Sequence, residues 1–342
     1  MNTRSFFFDN AKFILIFFVV FGHLLRTYIH DADSIYALYK TIYTFHMPAF
    51  ILVSGFFAKG IYRKGYIVKL FKKLIVPYLI FQGIYSVYFY YLDKAPTIKL
   101  DPFEPHWSLW FLISLFFWNM MLLLFSRMKP LYGLTLTILI GLLVGYVDEI
   151  SNYLSLSRTF VFFPMFLAGY YLKKEHIQKL FTVKIRVASI LIFIIVIVGF
   201  YLYPDIDYKW LLGSKPYSEL NATFGMLTRL SCYGLSFLMI ACFLSLVPRG
   251  RYFFTLFGER TLYVYLLHGF FIQFFRESNL HQYVSSSNVY WILVALAMTL
   301  TLLLSSRFVF SMAQPVIELN ATRFKPHAYR MMNQMKRYIR LN

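Results

Sequence analysis

The first hydrophobic stretch, FFFDNAKFILIFFVVFGHL, carries three residues able to hold charge or move protons: Asp9, Lys12 and His23. On a helix advancing 100° per residue, the eleven steps from Lys12 to His23 bring the side chain back to within about 20°. Asp9 falls about 40° from His23 on the other side of the same stripe. Asp9 and Lys12 are three residues apart and can pair. One polar stripe therefore runs about 21 Å along an otherwise apolar helix. An ionisable group inside a membrane span costs about 2.5–3.5 kcal/mol on insertion scales, so each one demands a reason. Imidazole near neutral pH can act as a general base or carry a transferred group covalently. The plainer account makes Asp9 and Lys12 a paired helix end whose lysine snorkels.

Other polar residues in apolar surroundings converge on the same region. The second stretch contains YTFHMPAFILVSGFF, where His46 enters at roughly the depth at which His23 leaves, and Pro48 frees backbone groups that need partners. Two histidines at similar depth on consecutive helices suggest a shared cavity. His268 in TLYVYLLHGFF is a third intramembrane histidine. Arg158 stands at the outer edge of SRTFVFFPMFLAGYYL, which has an internal Pro164, and EPHWSLWFL brings His106, Trp107 and Trp110. The tryptophans are equally explained as interfacial anchors. On the inner side, Lys69, Lys72 and Lys73 precede LIVPYLIF. Lys69 and Lys72 share a helical face, which would suit either topological anchoring or an anion site for a phosphorylated cytoplasmic compound.

The elements that must position these residues are membrane helices. Of 342 residues, 59% are hydrophobic and only 14% charged, and apolar runs recur from Phe6 to Phe310 without a long polar interval. Windows of about 20 residues, the length of one crossing, place spans near 6–25, 42–58, 74–92, 107–126, 131–147, 159–172, 185–203, 224–247, 261–275 and 288–311. The expected fold is an all-α, polytopic helical bundle of about ten transmembrane helices. It forms one domain over 1–342, with a short basic tail from about 312. The loops near 26–41, 93–106, 148–158 and 204–223 are long enough to be more than connectors. The last of them, with Tyr203, Tyr208, Trp210 and Tyr217, offers aromatic faces on which a sugar ring could stack, though belt residues look the same.

The net charge of +19 would suggest nucleic acid in a soluble protein, but its distribution excludes that reading. Basic residues fill alternate loops: Lys59, Arg63, Lys64, Lys69, Lys72 and Lys73; then Arg127 and Lys129; then Lys173, Lys174, Lys179, Lys184 and Arg186; then Arg249, Arg251 and Arg260. The tail adds Arg323, Lys325, Arg330, Lys336, Arg337 and Arg340. The intervening loops carry Asp31, Asp33, Asp93, Asp101, Glu104, Asp148, Glu149, Asp205 and Asp207. The positive-inside rule then puts both termini in the cytoplasm, in parity with ten spans. Cys232 and Cys242 lie about 15 Å apart on one helix, too far for a disulfide. The sequence has no zinc-ligand spacing, phosphate loop or dinucleotide fingerprint, and no metal is expected. The first stretch lacks a small-residue cleavage site and reads as an uncleaved helix.

These motifs, in this order, resemble the integral-membrane acyltransferases of family three, in particular the fucose 4-O-acetylase-like branch. Lys12, ten intervening residues and His23 match the basic residue and histidine of the family's first helix, preceded by the branch's Asp9-Asn10-Ala11-Lys12. His46, Pro48 and Ser54-Gly55 resemble its FHMP and SGF elements. Trp110-Phe111-Leu112 resembles its WFL, and Pro77-Tyr78 and Tyr265 with His268 are similar too. The resemblance implies transfer of an acyl group, commonly acetyl from acetyl-CoA, to a hydroxyl of a cell-surface polysaccharide or lipid-linked sugar. One departure is Lys69 and Lys72 where the family often has two arginines; lysine meets phosphate as a point charge and lacks the bidentate fork.

The resulting expectation is a membrane-bound O-acyltransferase in a bacterial plasma membrane. Its donor would be acyl-CoA as a substrate rather than a tightly bound cofactor, and its partners membrane lipid and a glycan or lipid-linked sugar, with no nucleic acid. His23 would be the base or the acyl carrier, with Lys12 and Asp9 at the donor end. His46, Arg158, Trp110 and His268 would handle the acceptor, and Lys69, Lys72 and Lys73 the acyl-CoA. The alternatives are a flippase for a lipid-linked sugar, whose histidines relay protons or bind cargo, and a non-catalytic subunit of an envelope assembly.

Overall fold

Helices are what the bilayer requires of such a chain, because hydrocarbon offers no partner to a free N–H or C=O. The computed structural model describes residues 5–92, 95–150, 152–220, 223–284 and 288–319, and these are all-helical, without a strand. The long helices are α1 (Phe6–Leu25), α2 (Asp33–Phe57), α3 (Tyr66–Tyr91), α4 (Trp110–Phe125), α5 (Pro130–Leu143) and α6 (Leu156–Tyr171). After the short α7 (Lys174–Gln178) come α8 (Val183–Leu202), a single turn α9 (Lys209–Leu212), α10 (Gly225–Leu246), α11 (Thr261–Glu277), α12 (Val289–Leu304) and α13 (Arg307–Ile317). Asp93 and the basic tail residues from Arg323 to Arg340 lie outside the described residues.

α2 is the hub, packed against α1, α6, α8 and α10, while α1 also touches α11 and α12. Its closest partner is α6, and glycine is the reason. A Cβ on Gly55 would stand 2.0 Å from the Phe166 carbonyl oxygen, and one on Gly169 would stand 1.9 Å from that of Leu52. The two backbones meet reciprocally at these positions, the small-residue packing that membranes favour where no hydrophobic force draws helices together. By contrast α8 buries only Ser189 and Phe200 and turns its aliphatic side chains outward. Ser189 ties it to α10 through Ser245, 2.8 Å away.

α1, α8 and α10 are individually long and apolar enough to cross a bilayer, and α12 with α13 would be so together if they were straight. They are not: the pair bends by 63°. The expected span 288–311 is therefore two helices. Ser306 caps α13 by accepting from the Val309 N–H at 3.3 Å, restarting the helix in a new direction. The stretch after 312, expected as tail, remains helical to Ile317.

Two other boundaries differ from expectation in ways that matter. The 26–41 segment is mostly helix, because α2 starts at Asp33, whose charge suits a helix N-terminus. His46 is thus well inside α2 rather than at its entrance. α3 begins at Tyr66, eight residues before the expected span, so Lys69, Lys72 and Lys73 stand on its first turns.

Candidate active site

Three cavities follow the polar stripe of α1. The largest, about 1040 Å³, is a cleft at the basic end, lined by Asp9 and Lys12 together with Lys59, Arg63, Lys64, Lys69, Lys73, Lys173 and Lys174. A middle cavity of about 270 Å³ shares Lys12, Phe57 and Lys73 with that cleft. A far cavity of about 240 Å³ shares Val19, Met47 and Tyr265 with the middle one. The shared walls put the three in series along the bundle.

The near end is held by side chains of the first turns of α1. Lys12 Nζ lies 2.9 Å from Asp9 Oδ1, the expected ion pair. Asn10 is fully buried, and its Nδ2 donates to the carbonyls of Pro248 and Gly250 at 2.8 Å each. Its Oδ1 accepts from Thr255 at 2.7 Å. Asn10 therefore clamps the segment after α10 onto α1. Gly258 completes the contact, since a Cβ there would stand 2.0 Å from the Asp9 carbonyl oxygen. Lys69 and Lys73, four apart and on one face, line the cleft, whereas Lys72 is exposed on the neighbouring face.

His23, His46, Arg158 and Trp110 all line the far cavity. His46 Nδ1 is 2.8 Å from the Ile42 carbonyl oxygen, an acceptor only, so Nδ1 carries the proton and Nε2 the lone pair. His268 is fixed the same way on Val264, at 3.0 Å. It is fully buried, its Nε2 has no hydrogen-bond partner among the described residues, and its ring stands beside His23 rather than on the cavity wall. His23 Nδ1 faces the Tyr43 hydroxyl at 3.5 Å. The Trp107 ring is 4.4 Å from that of His23 and 5.4 Å from that of His268.

Trp107 adopts φ +28°, a region that residues with a Cβ enter at a cost, in the turn just before α4. That turn is secured by Tyr265, whose hydroxyl donates to the Ser108 carbonyl. His106, 2.8 Å from Ser86 Oγ, anchors the same loop to α3 instead of lining the far cavity.

Sequence reasoning missed Tyr43, Arg26 and Arg276, all on the far cavity wall. Arg276 Nη2 donates to the His23 carbonyl at 2.6 Å, and Arg26 lies 4.1 Å over the Tyr208 ring. A signal for both arginines was present. Each is a cation at a helix end away from the basic loops, against the charge pattern of the rest of the chain. The 204–223 segment contributes Leu211 and Leu212 to the cavity and places Tyr208 on Arg26; Trp210 and Tyr217 pack on each other at 6.0 Å.

This arrangement suits acyl transfer: imidazoles beside cationic donors, in a cavity set in series with a basic cleft. Comparisons with known proteins agree. Over 69 residues the chain is 44% identical to a nodulation protein, NolL, of Mesorhizobium japonicum, an alignment covering 19% of this chain and 18% of that protein. Over 62 residues it is 45% identical to the NolL nodulation protein of Sinorhizobium fredii, covering 17% of each. The matches thus span less than a fifth of either relative. No solved structure matches. The sequence profile of the acyltransferase domain family matches residues 5–307, nearly the whole chain, which therefore belongs to that family.

Proposed function

We propose that the protein moves an acyl group, acetyl by preference, from cytoplasmic acyl-CoA to a hydroxyl of a cell-surface polysaccharide or lipid-linked sugar, in a bacterial plasma membrane. The observation that carries this reading is the series of three cavities, with a strongly basic cleft at one end and a histidine- and arginine-lined chamber at the other. A CoA nucleotide is polyanionic and fits the basic cleft, where Lys69, Lys73, Lys173 and Lys174 supply point charges for phosphates. Its narrow thioester arm would run past Lys12 along the middle cavity to His23.

In the tautomer whose Nδ1–H donates to Tyr43, His23 Nε2 is free to take a proton. The acceptor hydroxyl gives its proton to that nitrogen while its oxygen bonds to the thioester carbonyl carbon. Arg158 steadies the oxyanion. His46 Nε2, being an acceptor, orients a sugar hydroxyl. The carbon–sulfur bond then breaks, and the imidazolium returns the proton to the thiolate, giving ester and free thiol. Trp110, stacked under the Arg158 guanidinium at 5.1 Å, offers a face to the sugar ring.

The test is transfer of label from acetyl-labelled acetyl-CoA to envelope glycan in membranes bearing the wild-type chain or His23→Ala. Label that depends on the chain and is lost with His23 is expected. Chain-dependent movement of unmodified lipid-linked sugar with no ester formed would overturn the proposal in favour of a flippase.

A further inference from the structure

Arg26, Arg158 and Arg276 all line the far cavity, and no carboxylate is among its lining residues. They come from three helices: Arg26 caps the end of α1, Arg158 lies in the first turn of α6 and Arg276 in the last turn of α11. Each guanidinium packs against an aromatic ring, on Tyr208, Trp110 and Trp107 respectively. That packing holds them in place without neutralising them. Their hydrogen bonding is incomplete: Arg276 Nη2 reaches the His23 carbonyl and Arg26 Nη2 the Tyr208 hydroxyl. Arg26 Nη1 and Arg276 Nε are buried with no partner among the described residues. A buried guanidinium with orphan donors costs several kcal/mol unless an anion meets it.

The donor does not supply that anion, because the basic cleft for its phosphates lies at the other end of the cavity series. Nor does the reaction intermediate, whose single oxyanion engages one guanidinium and leaves two. We infer that the far cavity is an anion site and that the acceptor bears a phosphate or carboxylate close to the hydroxyl that is acylated. Arg26 and Arg276 grip that group, and the guanidinium fork suits either oxyanion bidentately. The inference rests on the far cavity being the acceptor chamber.

The experiment is calorimetric titration of the purified full-length chain with galactose 1-phosphate, galacturonic acid and methyl galactoside as probes. An anionic probe is expected to bind about tenfold tighter than the neutral one, the increment of one charge-assisted contact. Preference for the first probe identifies a phosphate, and for the second a carboxylate. Arg26→Gln with Arg276→Gln removes the preference. Arg26→Lys and Arg276→Lys, which keep charge and lose the fork, weaken it less and serve if the glutamine pair does not fold. Lys69→Gln with Lys173→Gln weakens competing binding at the basic cleft and leaves the arginine-dependent preference intact. Equal affinity for all three probes, or a preference that follows the lysines and ignores the arginines, overturns the inference. Labelled acetyl transfer measured alongside separates the two proposals. Anion binding without any transfer defeats the proposed function, and with it the assignment of the anion to an acylated acceptor, while the anion site itself stands; transfer that ignores acceptor charge and the arginine pair defeats only the anion site.

Discussion

The rings of His23 and His268 lie 5.5 Å apart at 29°, one on the cavity wall and the other buried behind it, on helices that meet nowhere near each other in sequence. Val264 fixes the orientation of His268, and Trp107 touches both rings. Of these two rings only that of His23 reaches the chamber, so on the proposed mechanism His268 would act by positioning it. His23→Ala should lower kcat by about 10²–10⁴-fold, the usual worth of a general base. His268→Gln should lower it less with KM unchanged, and the double variant should be no worse than His23→Ala alone, as for residues acting as a unit. Multiplying losses in single-turnover transfer would show the two histidines to be independent.

Val19, Met47 and Tyr265 stand between the middle and far cavities. Met47 is partly exposed to that space, so Met47→Trp should fill it without opening the core. Transfer should fall by about two orders of magnitude through misplacement of the reacting carbonyl, while acyl-CoA affinity stays at the wild-type value. Transfer left at the wild-type rate would mean that the thioester does not pass this point.

The basic cleft separates neighbouring lysines. Lys69→Gln and Lys173→Gln should each raise KM for acyl-CoA by up to roughly tenfold, whereas Lys72→Gln, whose side chain faces away, should leave it unchanged. Added salt should mimic the first two variants by screening. A Lys72 variant as impaired as the Lys69 variant would shift the donor site off the cleft.

Much of this site was legible because its spacing is internal to one helix. The Asp9, Lys12 and His23 stripe needs only 100° per residue to be seen, and the ion pair follows from it. His46 stands out by its depth beside His23, and Arg158 and Trp110 as residues at the outer edge of their stretches; all three do line one cavity. Arg26 and Arg276 break the loop charge pattern, but the end of a helix looks the same whether its arginine turns to water or inward, so charge alone does not put them on the cavity. Lys72 was paired with Lys69 by a spacing of three; the cleft uses the spacing of four, to Lys73, and only the rotation of α3 in the bundle selects between them. The break at Ser305 and Ser306 was hidden in a continuous apolar window, since hydropathy does not register a cap.

The α2–α6 contact predicts which small change the fold cannot absorb. At Gly55 or Gly169 an alanine methyl meets a backbone carbonyl that has no rotamer to change, so the helices must part. Gly55→Ala should cost about 1–3 kcal/mol or more and lower the thermal midpoint of the purified protein. Gly199→Ala, whose methyl would meet nothing within 4 Å, is the matched control and should be neutral or stabilising. Equal midpoints for the two variants would remove the reciprocal glycine contact as a determinant of the fold.

Lys40 falls within the expected 26–41 loop, yet it is buried inside α2 with its ammonium donating to the carbonyls of Tyr203, Pro204 and Ile206 at 3.0–3.3 Å. A cation there satisfies carbonyls just past the end of α8, where the helix dipole is negative. The segment it holds is the one that sets Tyr208 on Arg26 and Leu211 against the far cavity. Lys40→Met keeps the aliphatic stem and removes three donations, so it should destabilise by about 1–3 kcal/mol. Amide exchange should then rise in 203–212 before it rises elsewhere, and KM for the acceptor should increase while KM for acyl-CoA does not. Unchanged exchange in 203–212 would mean that α9 is held over the cavity by its other contacts, and that Lys40 has no part in shaping the acceptor chamber.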